Sequence, residues 1–241
     1  MIKDLGAVIW KEWRELIFLR SGRISLLILL SVFGVLIPLQ TGRIWLLSPS
    51  LSVYWLWVPL LQVTTLIADF FVGERERHTL ETLLASRLPD QAILLGKVFV
   101  AVAYGWCLMV AIMLLGVVTV NLTQLGKPVT FYPLIPLAVM LLFGLLGALF
   151  VAAAGVLISM RFSTVRQAVQ MMNFGILALI WLPVLALQAL PTPTKDRLAA
   201  WIFGAEPVIA LIAALTILTA ADAGLLLWAL ARFQREKLIS R

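Results

Sequence analysis

Apolar residues run along the 241-residue chain in six long blocks, roughly 24–41, 51–72, 92–120, 131–160, 168–190 and 205–231. About 20 apolar residues in helical form cross the hydrocarbon core of a bilayer, so each block predicts one spanning helix. The first block is the shortest, running from Ile24 to Leu39 before Gln40 and Arg43 intervene. The third and fourth are long enough to tilt or to project beyond the lipid. The predicted fold class is therefore an all-α membrane protein with six transmembrane helices, a single permeation-type domain over 24–241. No soluble domain or low-complexity tract interrupts it.

Residues 1–23 follow a different pattern. At 100° per residue, Ile2, Leu5, Ile9, Trp13 and Leu16 fall on one stripe, and Lys3, Asp4, Lys11, Arg14 and Glu15 lie opposite. This predicts an amphipathic helix lying in the membrane interface, with Trp10 and Trp13 at headgroup level and membrane lipid as its partner. Ser21, Gly22 and Arg23 are expected to form the bend into the first span. A cleaved signal peptide is not expected, because the charged region is long, contains acids, and no small-residue cleavage site follows Leu39.

Composition agrees with the hydropathy pattern. Hydrophobic residues make up 62% of the chain, against about half in soluble domains. The net charge of +7 is scattered between apolar blocks rather than gathered on one face, which argues for topology and against a nucleic-acid partner. With the N-terminus in the cytoplasm, 15 of the Lys and Arg residues fall on that side and four (Arg43, Lys127, Lys195, Arg197) on the other. That asymmetry predicts a multi-pass protein of the inner cell membrane, with both termini and the 73–97 loop cytoplasmic. Trp45, Tyr54, Trp55, Trp57, Phe131, Tyr132 and Trp201 fall at outer helix ends, as an aromatic belt would. Residues 194–207, after Pro191 and Pro193, are expected to form a short external or re-entrant helix.

Catalytic groups are scarce. The one histidine, His78, lies in the cytoplasmic loop, so no Ser–His pair forms at membrane depth. The one cysteine, Cys107, sits in an apolar run and reads as a small packing residue. No His/Cys set suits a metal, and no GxxxxGK[ST] loop cradles nucleotide phosphates. Catalytic, cofactor and metal sites are therefore expected to be absent from this chain.

That leaves transport, a channel or a membrane scaffold. Ionisable groups within membrane spans are default functional candidates. Asp69 lies six residues before Arg75, roughly 9 Å from the interface, and Asp222 ten before Arg232, roughly 15 Å deep. Each is either a polar gate or a buried helix–helix contact. Gln62, Thr65, Asn173 and Asp222 are the candidates for a translocation path, and neutral polar groups of this kind equally tie neighbouring helices together. Gly144, Ala148 and Ala152, with Gly155 and Ser159, recur at a spacing of four, as do Ala220 and Gly224. Such faces allow close helix approach, within one chain or across a dimer.

The loop after the second block, "GERERHTLETLLAS", carries the densest charge in the chain. Leu80, Leu83 and Leu84 recur at i, i+3, i+4, with Glu81 and Thr82 opposite, which predicts a short amphipathic helix. Pro89 breaks it, and Asp90 is placed to start the next helix, with Lys97 anchoring the third span. Glu74, Glu76 and Glu81 disfavour an anionic lipid surface, so a leucine edge with mixed charge suits docking on a protein.

The segment "FFVGERERHTLETLLASRLPDQAILLGK" resembles the cytoplasmic loop of type-2 ABC export permeases, whose pattern runs G-E-R-E-x-G-T-L-E-x-L-L followed by Ser/Thr-Pro and, further on, G-K. Gly73, Glu74, Arg75, Glu76, Thr79, Leu80, Glu81, Leu83, Leu84, Gly96 and Lys97 match it in order and spacing. His78 stands where the family usually has Gly, and "SRLPD" replaces the usual Ser/Thr-Pro. The resemblance implies that this loop is a coupling helix seated on a separate ABC ATP-binding subunit, which binds ATP and Mg, while this chain binds no cofactor. It implies apolar contacts from Leu80, Leu83 and Leu84. It implies polar links from Glu74, Arg75, Glu76, Arg77, Thr79 and Glu81 to the ATPase and to the N-terminal helix, through Arg14 or Glu15. A second permease copy, in a homodimer or a paralogous heterodimer, would complete the exporter. The alternative is an ATP-independent six-span channel or secondary carrier, which has no use for a leucine-edged charged loop.

Overall fold

The computed structural model describes residues 2–18, 20–77, 88–194 and 207–233, and every regular element among them is helical. In chain order these are α1 (Ile2–Phe18), α2 (Arg20–Ser31), a π-helical turn (Val32–Leu36), α3 (Ile37–Thr41), α4 (Arg43–Leu47) and α5 (Pro49–Ala68). A second π-helical turn (Asp69–Gly73) follows, then the single turn α6 (Glu74–Glu76), α7 (Asp90–Thr123), α8 (Leu134–Ser159), α9 (Val165–Ala189) and α10 (Pro207–Arg232). Among the described residues three helices, Asp90–Thr123, Leu134–Ser159 and Val208–Arg232, are long and apolar enough to cross a membrane.

The other apolar blocks are helical too, with altered boundaries. The 24–41 block comprises α2, the first π turn and α3, and it reaches back to Arg20. Ser21, Gly22 and Arg23, expected as a bend, therefore lie inside α2. A single glycine costs a helix only about 1 kcal/mol, too little to break one that continues into an apolar run. Proline and glycine mark the other boundaries. Gly42, at φ 59°, ends α3; Pro49 opens α5 at its first position; and α7 starts at Asp90, directly after Pro89.

Helix α5 is central, packing on α7, α8 and α9, while α10 lies on α8 and α1 on the start of α7. Buried apolar residues form two layers along the bundle. One holds Phe70, Phe71, Ile93, Leu94, Ala152, Val156, Met172 and Phe233 at the end carrying the Gly73–Arg77 segment. The other holds Trp45, Leu46, Val58, Met109, Ile112 and Val120 at the opposite end. Trp45, expected in the aromatic belt, is instead 1% exposed. The turn at Gly42 folds α4 back onto the bundle, where α4 packs on α5 and α7.

Close packing follows the small residues on α8. Gly144, Ala148, Ala152, Gly155 and Ser159 are all buried, and Gly155 receives Ile67 of α5 and Met172 of α9. Ala220 and Gly224 are exposed, so that pair makes no comparable seam among the described residues. Gly105 of α7 faces Pro59 inside α5, where an added Cβ would lie 3.1 Å from the Pro59 carbonyl oxygen. Gly105→Val is expected to cost about 1–3 kcal/mol by overpacking. Gly175→Ala, which meets nothing within 4 Å, should cost nothing; thermal stability of the two variants in detergent makes the comparison.

Both π turns present a carbonyl to α7. Thr119 Oγ1 donates to the Gly34 carbonyl at 2.9 Å, and Lys97 Nζ donates to the Phe70 carbonyl at 3.0 Å. Widened turns of this kind free backbone acceptors from the regular ladder and recur at functional sites. The second of them leads into the charged segment.

Candidate functional site

Each charged side chain of Glu74–Arg77 has a partner on another part of the chain. Arg77 donates to Asp69 at 2.8 Å, closing the segment onto the π turn. Arg75 donates to the Phe162 carbonyl at 3.2 Å. Its half-buried guanidinium has a pKa pushed below the ordinary arginine value by burial. Glu76 accepts from the Val165 backbone N–H at 3.0 Å, satisfying one of the open donors at the start of α9. Glu74 accepts from Lys97 at 2.7 Å and from Lys11 at 3.4 Å.

Lys97 is the hub. Its side chain is 1% exposed, and its three ammonium protons meet three acceptors: Glu12 at 3.0 Å, Glu74 at 2.7 Å and the Phe70 carbonyl at 3.0 Å. The rings of Phe70 and Phe71 lie 5.3 and 5.8 Å from Nζ, within cation–π reach. Lys11 adds a second cation, 3.2 Å from Glu12 and 3.5 Å from Glu15. Partial burial works to lower the Lys11 pKa, but Glu12, Glu74 and Glu15 outweigh it and hold it above 10.5. Two buried carboxylates thus face two cations drawn from α1 and α7.

Gly96 makes room for this cluster. A Cβ there would sit 2.7 Å from Val8 Cγ1, so only glycine lets α1 approach so closely. The seam of α1 that faces the protein is Leu5, Val8, Ile9, Glu12 and Leu16, of which Val8 and Glu12 are fully buried. The apolar stripe expected to lie on lipid is thus largely spent on protein contacts. Trp10 and Trp13 stay outside, at 64% and 39% exposure. Among the described residues, Lys11 and Glu12 link the N-terminal helix to Glu74 and Lys97. Of the two residues expected for such a link, Glu15 reaches the cluster through Lys11, and Arg14 lies over Trp10, 5.1 Å from the ring. Glu12 was detectable in principle: it is the one acid in an otherwise apolar i, i+3, i+4, i+7 row, the mark of a buried partner.

The other candidate residues are more dispersed. Gln62 and Thr65 lie on α5, with Thr65 Oγ1 turned back to the Leu61 carbonyl at 3.1 Å. Asn173 is on α9, which packs against α5, and its Oδ1 is buried without a hydrogen-bond partner among the described residues. Asp222 is on α10, packed on α8, with its residue 2% exposed and neither carboxylate oxygen hydrogen-bonded among the described residues. Thr79, Leu80, Glu81, Leu83 and Leu84, with His78, lie outside the described residues, as do 195–206 of the expected external helix. No cluster of three potential metal ligands occurs among the described residues.

A family model described as ABC-2 family transporter protein matches residues 45–230. The chain belongs to the ABC-2 transporter family. No curated protein sequence matches it. The protein is thus a membrane permease subunit of an ABC transporter and not itself an enzyme. The matched region contains Glu74, Gly96 and Lys97 of the cluster, while α1, with Val8, Lys11 and Glu12, lies before it.

Proposed function

We propose that this permease couples ATP hydrolysis on a separate ATP-binding subunit to export of a substrate across the inner cell membrane. Six spans carry it, with both termini in the cytoplasm, consistent with the six apolar blocks and the 15-to-4 distribution of Lys and Arg. The 79–84 segment is the coupling helix, seating Leu80, Leu83 and Leu84 in a groove of the ATPase. ATP and Mg reside on that partner. Two permease copies, identical or paralogous, enclose the path, toward which Gln62, Thr65, Asn173 and Asp222 contribute polar groups.

The observation that carries this reading is the bound state of the Glu74–Arg77 stem. Its four charges are anchored to α1, α7, the second π turn, and the turn and helix start at Phe162–Val165. A load on the neighbouring loop is thereby delivered to several spans at once, as a coupling element requires. An ATP-independent channel gains nothing from such a stem.

Tagged permease is expected to co-purify with an ABC ATP-binding subunit of the same cell, and the complex to hydrolyse ATP faster than the ATPase alone. Vesicles holding only the purified permease should retain an entrapped panel of solutes. Release of a solute without any ATPase would support the ATP-independent channel or carrier instead.

A further inference from the structure

Helix α10 packs on α8, and its buried and half-buried positions form one stripe, running Leu211, Leu215, Leu218, Asp222, Leu226 and Ala229. Ile209, Ile212, Ile217 and Leu227 lie off the stripe and are exposed. Asp222 is the one polar residue of the stripe among the described residues. It is 2% exposed, and neither carboxylate oxygen has a hydrogen-bond partner among the described residues. The helices around it supply no counter-charge there. Helix α8 carries no titratable residue from Leu134 to Ser159. On α10 the nearest cation is Arg232, ten residues or roughly 15 Å further along, and it lies over Trp228 at 5.6 Å. Beyond it, Phe233 meets Phe71 of the second π turn. The charges there are already engaged: Asp69 with Arg77, and Lys97 with Glu12 and Glu74.

A carboxylate shut away from water without a partner costs far more than the neutral acid in the same place. Ionisable groups inside spans accordingly mark ion or proton sites. The candidate cations differ in what they need. A hard metal ion gathers about six oxygen ligands, and α8 offers no side-chain oxygen before its last residue, Ser159. A cationic cargo needs an open approach, which a residue 2% exposed does not give. A proton needs neither. We propose that Asp222 is a proton-binding site in the seam between α8 and α10. With the seam closed the carboxyl group holds a proton taken from water; returning that proton to water leaves a carboxylate and frees α10 from α8. The closed seam binds the proton and the open one gives it up, so closure weakens as pH rises. On the export reading, Asp222 joins the translocation path only while α10 stands off α8. The proton site itself depends on the seam alone.

Two measurements on the purified full-length permease, with no ATPase or substrate present, test this independently of the export reading. The infrared spectrum in neutral buffer is expected to contain the C=O band of a protonated carboxyl group, lost in both Asp222→Asn and Asp222→Leu. Hydrogen exchange, corrected for the intrinsic pH dependence of amide chemistry, is then followed in Val208–Arg232, with Asp90–Thr123 as reference. From mildly acidic to alkaline buffer, exchange in α10 is expected to speed up about tenfold in wild type and to stay level in both variants. The leucine variant restores a wholly apolar stripe, so it keeps the comparison decisive if asparagine distorts the seam. A wild-type spectrum without the band, or a band that persists in both variants, overturns the proton site. A band lost as expected, with α10 exchange equally pH-dependent in wild type and variants, overturns the release of α10. Failure of wild type to capture an ATPase overturns the export reading instead and leaves both measurements standing.

Discussion

Lys97→Met is expected to be the most destabilising single change in the described chain. It removes the cation that lies 3.0 Å from Glu12 and 2.7 Å from Glu74, two carboxylates that are themselves 1% and 11% exposed at the side chain. Breaking a buried ion pair from one side costs about 3–5 kcal/mol, because the charge left behind has lost both water and partner. Lys11 stays within 3.4 Å of both acids and offsets part of this, which sets the expected loss at about 3 kcal/mol. In a chain of this size that lowers the unfolding midpoint by roughly 10 °C, read as loss of the monodisperse species on heating in detergent. The triple variant Lys97→Met, Glu12→Gln, Glu74→Gln should recover much of the loss, since a neutral set of similar volume removes the unpaired charge along with the pair. Lys11→Met, at a 41%-exposed side chain, should cost under about 1 kcal/mol because solvent screens it. A triple variant no more stable than the single one would show that size and packing at position 97, not charge, decide the stability.

Leu83→Asp is expected to abolish capture of the ATP-binding subunit while leaving insertion and stability of the permease intact. Leu83 belongs to the apolar edge with Leu80 and Leu84, defined by i, i+3, i+4 spacing. Burying one leucine at an interface contributes about 1.5–3 kcal/mol, and a carboxylate in its place adds a desolvation cost. The combined loss of about 3 kcal/mol or more weakens association by roughly 100-fold. Glu81→Arg should act in the same direction by placing a cation where the partner meets an acid. Capture of the ATPase by Leu83→Asp at the wild-type level, with ATP hydrolysis still stimulated, would rule out this edge as the docking surface.

Much of the architecture is a local property of the sequence. The helical blocks follow from runs of apolar residues, and their limits from Pro49, Pro89, Pro133 and Gly42, because proline and glycine act on the backbone where they stand. The motif from Gly73 to Lys97 pointed to the right family for the same reason: its spacing is written in consecutive positions. Asp90 as the first residue of α7 was legible from Pro89 alone.

Long-range pairing was not legible. Hydropathy treats a lipid-facing stripe and a protein-facing stripe alike, since both are apolar, so the α1 seam of Leu5, Ile9 and Leu16 read as a membrane surface. Trp45 read as a belt residue for the same reason, and only the fold-back at Gly42 buried it. The charges of the stem were visible, and the resemblance implied a link to the N-terminal helix, but Lys11 and Lys97 as the cations that meet Glu74 were not. Lys11 meets Glu74 across 63 positions of sequence, and Arg75 meets Phe162 across 87. The sequence determined that this is a helical membrane permease with a charged stem leading into a leucine-edged loop. Tertiary structure alone decided that the stem is bound to α1 through Lys97, because that contact exists only where a missing Cβ at Gly96 lets two helices distant in sequence come close enough to bury an ion pair.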